Sequence, residues 1–416
     1  LLFLYNTALG LYGLLLRLVA PFVPKAAAWV AGRRDLLAHI RHTIGPDPAP
    51  RVWFHCASLG EFEQGRPLLE AYRRAHPGTK LVLTFYSPSG YEIRKSWPGA
   101  DYIFYLPLDT EHNARAFFDI VRPRLVVFVK YEFWYHFLYQ AHQRGIPSIV
   151  VSAIFRPDQI FFKPWGGFFR GILKRVSHIF TQNEASAQLL RTAGISQVSV
   201  AGDTRFDTVV ATAAAPPRSL TVVEAFVADG APVLVVGSSW PEDLPVLMPL
   251  IRRYGPELRV LVAPHEITET NLRLVEATFP GLVQRYSHAD AATVGQARIL
   301  LFDNIGLLSQ LYRFGKYAYI GGAFGKGLHN TLEAAAFGLP LFFGPTYAKF
   351  QEAVELVVLK CAFPVENATG LETTFTYLWH HEEARLRLQD AMLDYVHGQA
   401  GATRTIMAAL PGLTAS

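Results

Sequence analysis

Short apolar runs alternate with helical stretches in two successive series along this chain, and that doubled rhythm limits the fold more than any other feature. After a proline-rich joint at 45–50, the runs Val52–Ala57, Leu81–Phe85, Tyr102–Leu106, Leu125–Lys130, Ser148–Ser152 and His178–Thr181 read as strands, being rich in β-branched and aromatic residues. The stretches Glu61–Ala75, Glu111–Val121, Phe133–Gln143 and Glu184–Thr192 read as the helices between them. This is the βαβ pattern of a parallel sheet covered on both faces. It breaks at 211–220, an Ala- and Pro-rich stretch that reads as a linker. It resumes with Val233–Gly237, Val260–Ala263, Ile299–Phe302, Tyr317–Gly321 and Leu341–Gly344 as strands. The expectation is an α/β protein with two Rossmann-like, doubly wound parallel-sheet domains, at 45–210 and 221–385, facing a cleft. The helical stretch 386–416 follows and is expected to pack back on the first domain. A chain of 416 residues is long enough for two cores.

Residues 1–16 carry no charge, and the cations Arg17, Lys25, Arg33 and Arg34 follow. A bilayer span needs about 20 apolar residues. The segment 1–44 therefore reads as a hydrophobic, membrane-associated region, spanning or interfacial, with a buried core helix as the alternative. The downstream cations favour a cytoplasmic body. No basic stretch precedes the apolar run, as a secretory signal requires, and the sequence opens at Leu1 without methionine, which leaves its true start open. Cys56 and Cys361 have no paired spacing, so neither a disulfide framework nor a structural zinc is expected, and reduced thiols suit the cytoplasm. A net charge of +5 fits an anionic membrane or substrate as well as an ordinary basic protein. No Lys/Arg run or RNA-binding signature points to nucleic acid.

Ligands of doubly wound sheets bind at the carboxyl ends of the strands, and most of five constellations fall at such ends. Cys56-Ala57-Ser58-Leu59-Gly60-Glu61 follows the first strand; Glu61 can serve as a general base or close a capping box with Ser58. In Lys130-Tyr131-Glu132-Phe133-Trp134, Glu132 can orient the base or the acceptor, or complement a helix dipole. In Gly202-Asp203-Thr204-Arg205-Phe206-Asp207, before the linker, Arg205 offers a fork for a phosphate or sugar carboxylate, or pairs with Asp203 or Asp207. In Gly237-Ser238-Ser239-Trp240-Pro241-Glu242, Ser238 and Ser239 can hold a phosphate with nearby N–H groups, or Ser238 caps a helix. No Walker loop is present, and this strand end has no GxGxxG.

The fifth constellation, Gly321-Gly322 through Gly327-Leu328-His329-Asn330-Thr331-Leu332-Glu333, is the most informative. Asn330 and Glu333 can form a capping box, but the loop has more glycines and polar groups than capping needs. Ligand binding accounts for them better: glycines admit a ligand to the backbone, a helix N-terminus favours phosphate, and Glu333 can accept from ribose hydroxyls. No strand end carries Asp-x-Asp, so no metal is expected, and helix dipoles and cations are left to stabilise a leaving phosphate.

In order and spacing, ASLGEFEQG, EFW, AGDTRFD, VVGSSWPED, APHE and YIGGAFGKGLHNTLEAAAFGLPLFFGP resemble the transferases of 3-deoxy-D-manno-octulosonic acid (Kdo) in lipopolysaccharide assembly, across nearly the whole chain. The resemblance implies the GT-B fold and an inverting, metal-independent and cofactor-free transfer of Kdo from CMP-Kdo to a lipid A precursor, lipid IVA, at the cytoplasmic face of the inner membrane. It implies Glu61 as the catalytic base, Glu132 as the acidic partner, and Arg205 in place of a lysine tied to transition-state stabilisation. It implies a CMP site at Pro264, His265, Ile305, Gly306, Leu307, Asn330, Thr331, Leu332 and Glu333, to which Ser238, Ser239 and His329 are added from the loops above. The chain departs from the family pattern. Trp240 stands where histidine is usual, Pro264-His265 where the order is His-Pro, Leu307 where glutamate is frequent, and Leu328 where glycine is usual. Other readings stay open: a nucleotide-sugar epimerase of the same two-lobed fold, another membrane-associated sugar transferase, or an inert membrane-tethered binding protein.

Overall fold

The computed structural model describes residues 1–255, 257–325 and 327–414; Lys326 of the glycine-rich loop and residues 415 and 416 of the C-terminal stretch lie outside the described residues. The chain forms two compact units, Leu1–Thr208 with Gln399–Ser416, and Val209–Gly398. Among the described residues each unit holds one seven-stranded sheet.

In the first unit the strands are β1 (Arg51–Cys56), β2 (Lys80–Phe85), β3 (Tyr102–Tyr105), β4 (Pro123–Val129), β5 (Ser148–Ala153), β6 (His178–Thr181) and β7 (Val198–Val200). They lie in the order β3-β2-β1-β4-β5-β6-β7, parallel throughout. The second unit has β8 (Val233–Ser239), β9 (Arg259–Pro264), β10 (Val283–Arg285), β11 (Ile299–Leu301), β12 (Tyr317–Ile320), β13 (Leu341–Phe343) and β14 (Ala362–Pro364). Their order is β10-β11-β9-β8-β12-β13-β14, again parallel. The three strands not foreseen, β7, β10 and β14, are edge strands whose sequences VSV, VQR and AFP include polar residues or proline and show no apolar run.

Each sheet reverses direction at one place, between β1 and β4 in the first unit and between β8 and β12 in the second. Crossover connections leave such a switch point on opposite faces, which opens a crevice at the strand ends.

The helices at the start of the chain are α1 (Leu2–Val19), α2 (Pro24–Ala31), α3 (Leu36–Ile44) and α4 (Leu59–Ala75). β1 is buried along its whole length, and its residues alternate between two apolar layers. Val52, Phe54 and Cys56 join Phe62, Leu68 and Leu69 of α4, with Ile406 and Leu410 from the helix Ala402–Thr414. Trp53 joins the opposite layer, its ring 4.7 Å from Phe117 and 5.4 Å from Phe137. Fully burying a side chain of this kind stabilises the fold by about 1.5–3 kcal/mol.

Three expected boundaries move. The segment 1–44 is not separate from the first unit, because Leu36, Ile40 and Ile44 of α3 are part of its core. The helix Thr204–Ala214 runs into the expected linker, since alanines sustain a helix until Pro216 and Pro217 stop it. The second unit continues past residue 385, because the helix Glu382–Gln399 crosses that point and buries Met392 and Val396.

α1 is the one helix among the described residues long and apolar enough to cross a membrane, with a mean hydropathy of 1.5. Only Gly13 in it is buried. Polar contacts pin it nonetheless. The Tyr5 hydroxyl donates to Asp109 Oδ2 at 2.6 Å, and Asn6 Oδ1 lies 2.7 Å from His136 Nε2. Asp109 also accepts the N–H groups of His136 and Phe137, each at 3.0 Å, and its burial pushes the carboxyl pKa upward.

Candidate active site

The constellations following β1, β4, β8 and β12 sit at the two switch points. In the first unit, β1 ends at Cys56 and α4 starts at Leu59, with Ser58 as its extended N-cap. Glu61, in the first turn, folds back so that Oε2 accepts the N–H of Ala57 at 2.6 Å and of Ser58 at 3.2 Å. The capping box and the poised carboxylate are thus the same arrangement. Burial first, and the neighbouring Glu132 second, raise the Glu61 pKa to about 7, against the two N–H groups and Lys130. A carboxylate tuned near neutrality is matched to proton abstraction.

Glu132 follows β4. Its Oε2 accepts the Trp134 indole N–H at 2.6 Å and lies 3.3 Å from His55 Nε2. His55 is wholly buried in β1, with Nδ1 2.8 Å from Thr84 Oγ1. Lys130, at the β4 end, has φ +70, a left-handed turn that a non-glycine residue rarely adopts. Tyr86 stacks on Trp134 at 4.8 Å and so backs the indole that holds Glu132. His55 was not foreseen as part of this group; a histidine inside the otherwise apolar run Val52–Cys56 is the signal that marks it.

Arg205 is tied to Asp203. Its Nε and Nη2 reach Oδ2 at 2.8 and 2.7 Å, and its N–H reaches Oδ1 at 2.9 Å. Asp207 turns the other way and accepts the N–H groups of Gly401 and Thr403 at 2.5 and 2.7 Å, capping the helix Ala402–Thr414.

In the second unit the loops after β8, β9 and β12 meet. Trp240 Nε1 donates to His329 Nε2 at 2.8 Å, and His265 stacks on both rings, 4.9 Å from Trp240 and 4.1 Å from His329. Burial, and then the nearby His265, bring the His329 pKa down to about 4, so its imidazole is neutral at pH 7. Ser238 takes φ +52 at the β8 end, and Ser239 is buried beside Pro264, its register partner. Under the loops lies Asp243, fully buried, accepting from Trp240 N, Tyr319 Oη and Gly322 N at 2.8, 2.8 and 3.1 Å. It ties the β8 loop to the β12 loop and was not foreseen; the spacing Trp240-Pro-Glu-Asp243 of a helix start was its only mark.

The glycine-rich loop does not feed a long helix. Leu332–Ala335 is a single turn with Thr331 as its N-cap, ended by Gly338 at φ +70. So short an element adds little dipole to N–H groups that face a ligand. Asn330 Oδ1 accepts from Leu332 N at 3.1 Å and its Nδ2 donates to Glu333 Oε1 at 3.0 Å. Thr331 Oγ1 is buried with no hydrogen-bond partner. Ile305, Gly306 and Leu307 form a separate turn after β11: Ile305 is 91% exposed, Gly306 takes φ +96, and Leu307 caps the helix Leu308–Leu311. Among the described residues, no group of three or more His, Cys, Asp or Glu is gathered.

Two parallel sheets, with a carboxylate tuned near neutrality at one switch point and an aromatic–imidazole stack at the other, define a two-unit α/β protein with candidate site residues at the strand ends. Residues 33–208 match the family described as 3-deoxy-D-manno-octulosonic-acid transferase (kdotransferase). The 3-deoxy-D-manno-octulosonic acid transferase of Chlamydophila psittaci is 27% identical over 346 residues, covering 82% of this chain and 80% of that protein. That of Bordetella pertussis is 26% identical over 435 residues, covering 96% and 98%. The fold is similar to a UDP-GlcNAc 2-epimerase from Neisseria meningitidis solved with UDP-GlcNAc, with a TM-score of 0.62 at 14% identity over 87% of this chain and all of that one. The chain is thus similar to Kdo transferases along most of its length, and it is a glycosyltransferase.

Proposed function

We propose that this protein transfers Kdo from CMP-Kdo to a sugar hydroxyl of a lipid A precursor, lipid IVA, in lipopolysaccharide biosynthesis, with inversion and without metal or cofactor. The observation that carries the proposal is the Glu61 carboxylate, held by two backbone N–H groups at a switch point and tuned to about 7. Glu61 takes the proton of the acceptor hydroxyl. The oxygen attacks the anomeric carbon of Kdo from the face opposite the phosphate, the bond to the phosphate oxygen breaks, and CMP leaves with the electron pair. Glu132, braced by Trp134 and His55, keeps Glu61 basic enough for that step. Ser238, Ser239, Pro264, His265 and the segment His329–Glu333 take the nucleotide, with Ile305, Gly306 and Leu307 at its margin. Arg205, held by Asp203, meets the developing phosphate charge. In this reading the protein works at the cytoplasmic face of the inner membrane, held there by α1, and the length and apolarity of that helix support it.

Mass spectrometry of the lipid formed from CMP-Kdo and a tetra-acylated precursor tests the reading. Addition of one or more Kdo masses is expected, unchanged by a chelator. Glu61→Gln should abolish transfer while CMP-Kdo still binds; retained turnover would remove Glu61 from the role. Turnover of nucleotide sugars without any lipid acceptor would replace the transferase reading by that of an epimerase.

A further inference from the structure

The C-terminal half of α1 walls a cavity of about 690 Å³ on the first unit. Gly13 of α1 lets the helix come close to the floor: a Cβ there would stand 3.3 Å from Leu108. The wall is cationic. Arg17, Arg33 and Arg34 line it against one carboxylate, Asp35. Arg17 and Arg34 are not buried, and among the described residues neither forms an ion pair. Arg33 is committed inward: it donates to the carbonyls of Leu106, Tyr86 and Trp29 at 2.9, 2.8 and 3.2 Å and lies 3.9 Å from the Trp29 ring centre. It adds positive charge to the wall, and among the described residues no carboxylate forms an ion pair with it.

The rest of the lining is largely apolar, including Trp29, Leu37 and Leu108. α1 continues that surface outward, with Leu11, Leu14, Leu15 and Leu18 each more than half exposed. A ligand for this site must carry negative charge at one end and hydrocarbon at the other. A free phosphate leaves the apolar wall wet, and an acidic peptide has nothing to lay along a row of leucines. Arg17 sits in the last turn of α1, the position from which a long cationic side chain reaches the headgroup layer of a bilayer.

We propose that this cavity seats the phosphate-bearing headgroup of an anionic bilayer glycerophospholipid, with an acyl chain lying along α1. The inference rests on reading α1 as membrane-bound and is independent of the transfer chemistry at Glu61.

Flotation of the full-length protein with vesicles of phosphatidylcholine, and of phosphatidylcholine with a third of phosphatidylglycerol, tests it at physiological ionic strength. The anionic lipid is expected to raise affinity strongly. Arg17→Ala with Arg34→Ala should lower that gain by roughly 25-fold, about fivefold for each arginine at a charged surface, and leave binding to phosphatidylcholine unchanged. Arg115→Ala with Arg191→Ala makes the same charge change at exposed arginines paired with Glu111 and Glu184, and should keep the gain. Ala38→Trp fills the cavity from its lining without altering charge, and should lose the gain as well. A full gain in Ala38→Trp, or equal losses in the two arginine pairs, would show diffuse attraction and overturn the site. A wild-type protein that ignores phosphatidylcholine vesicles would overturn the membrane reading of α1. Titration with soluble dihexanoyl-phosphatidylglycerol then decides the cavity by itself: binding lost in Ala38→Trp sustains it, and competition by inorganic phosphate at equal concentration defeats it.

Discussion

Trp240 Nε1 donates to Nε2 of His329 at 2.8 Å, which leaves the proton of that imidazole on Nδ1. Burial disfavours a positive charge on this ring, and His265 stacked 4.1 Å away adds to that. A histidine at position 240 would put a third titratable ring into the group, whereas an indole can only donate. His329 is therefore a neutral hydrogen-bonding group, not a cation for the phosphate.

His329 has a lowered folded pKa, about 4 against 6.5. The unfolded chain takes up a proton near 6.5 that the native state refuses until about 4, so stability falls as pH drops through that window. Trp240→Phe keeps the ring but removes the donor, freeing Nε2 for a proton. NMR titration of the His329 ring should give a higher pKa than in the wild type, with a smaller loss of melting temperature between pH 6.5 and 4.

The carboxylates of the first unit work the other way. Glu61 is raised to about 7, partly by the charge of Glu132. The base form is the unprotonated one, so kcat/KM for transfer should climb with pH and level off above about 7. Glu132→Gln removes a like charge and should move that limb to lower pH, while a weaker base lowers the plateau. The folded pKa exceeds the unfolded value of 4.5, so the stabilising contribution of protonated Glu61 is present below 4.5 and lost as pH rises through 7. Glu61→Gln should then be less sensitive to pH in its melting temperature across that range.

Gly321 has no room for a side chain. A Cβ would lie 2.3 Å from Ser238 O, 2.6 Å from Ser239 Cα and 2.7 Å from the buried Asp243 carboxylate. Two of these three neighbours are backbone. Gly321→Ala should cost about 2 kcal/mol or more, seen in denaturant unfolding as a lowered midpoint of the second unit. Gly60→Ala, where a Cβ meets nothing within 4 Å, should fold normally.

Asp207 holds the first turn of the helix Ala402–Thr414 to the first unit through two backbone N–H groups. Asp207→Ala should cost about 1–2 kcal/mol, as the loss of a helix cap does. Hydrogen exchange should then speed up in residues 402–414 while β8 and β12 keep their protection.

The ladder of buried strands was legible because parallel strands covered on both faces must be apolar along nearly their whole length, as β1 and β4 are. Three edge strands were not, since β7, β10 and β14 (VSV, VQR and AFP) include polar residues or proline and show no apolar run. In the site, Glu61, Glu132 and His329 stood out because each follows closely on the end of a buried strand, whereas His265 was marked only by the resemblance to Kdo transferases. His55 and Asp243 did not, because their partners Glu132, Tyr319 and Gly322 are remote in sequence. The helix expected after the glycine-rich loop is present but lasts a single turn: the run of alanines after Glu333 favours helix, and Gly338 turns the chain soon after.

By itself, the order of residues determined the two α/β units, their parallel strands and the strand ends at which chemistry gathers, because periodicity and turn residues act over short stretches of chain. Only the tertiary structure decided that Glu61 is desolvated next to Glu132, that His329 stays neutral beneath Trp240, and that three arginines line one cavity beside α1. Proton affinity depends on burial and on charges brought close from distant parts of the chain, and no local pattern encodes those.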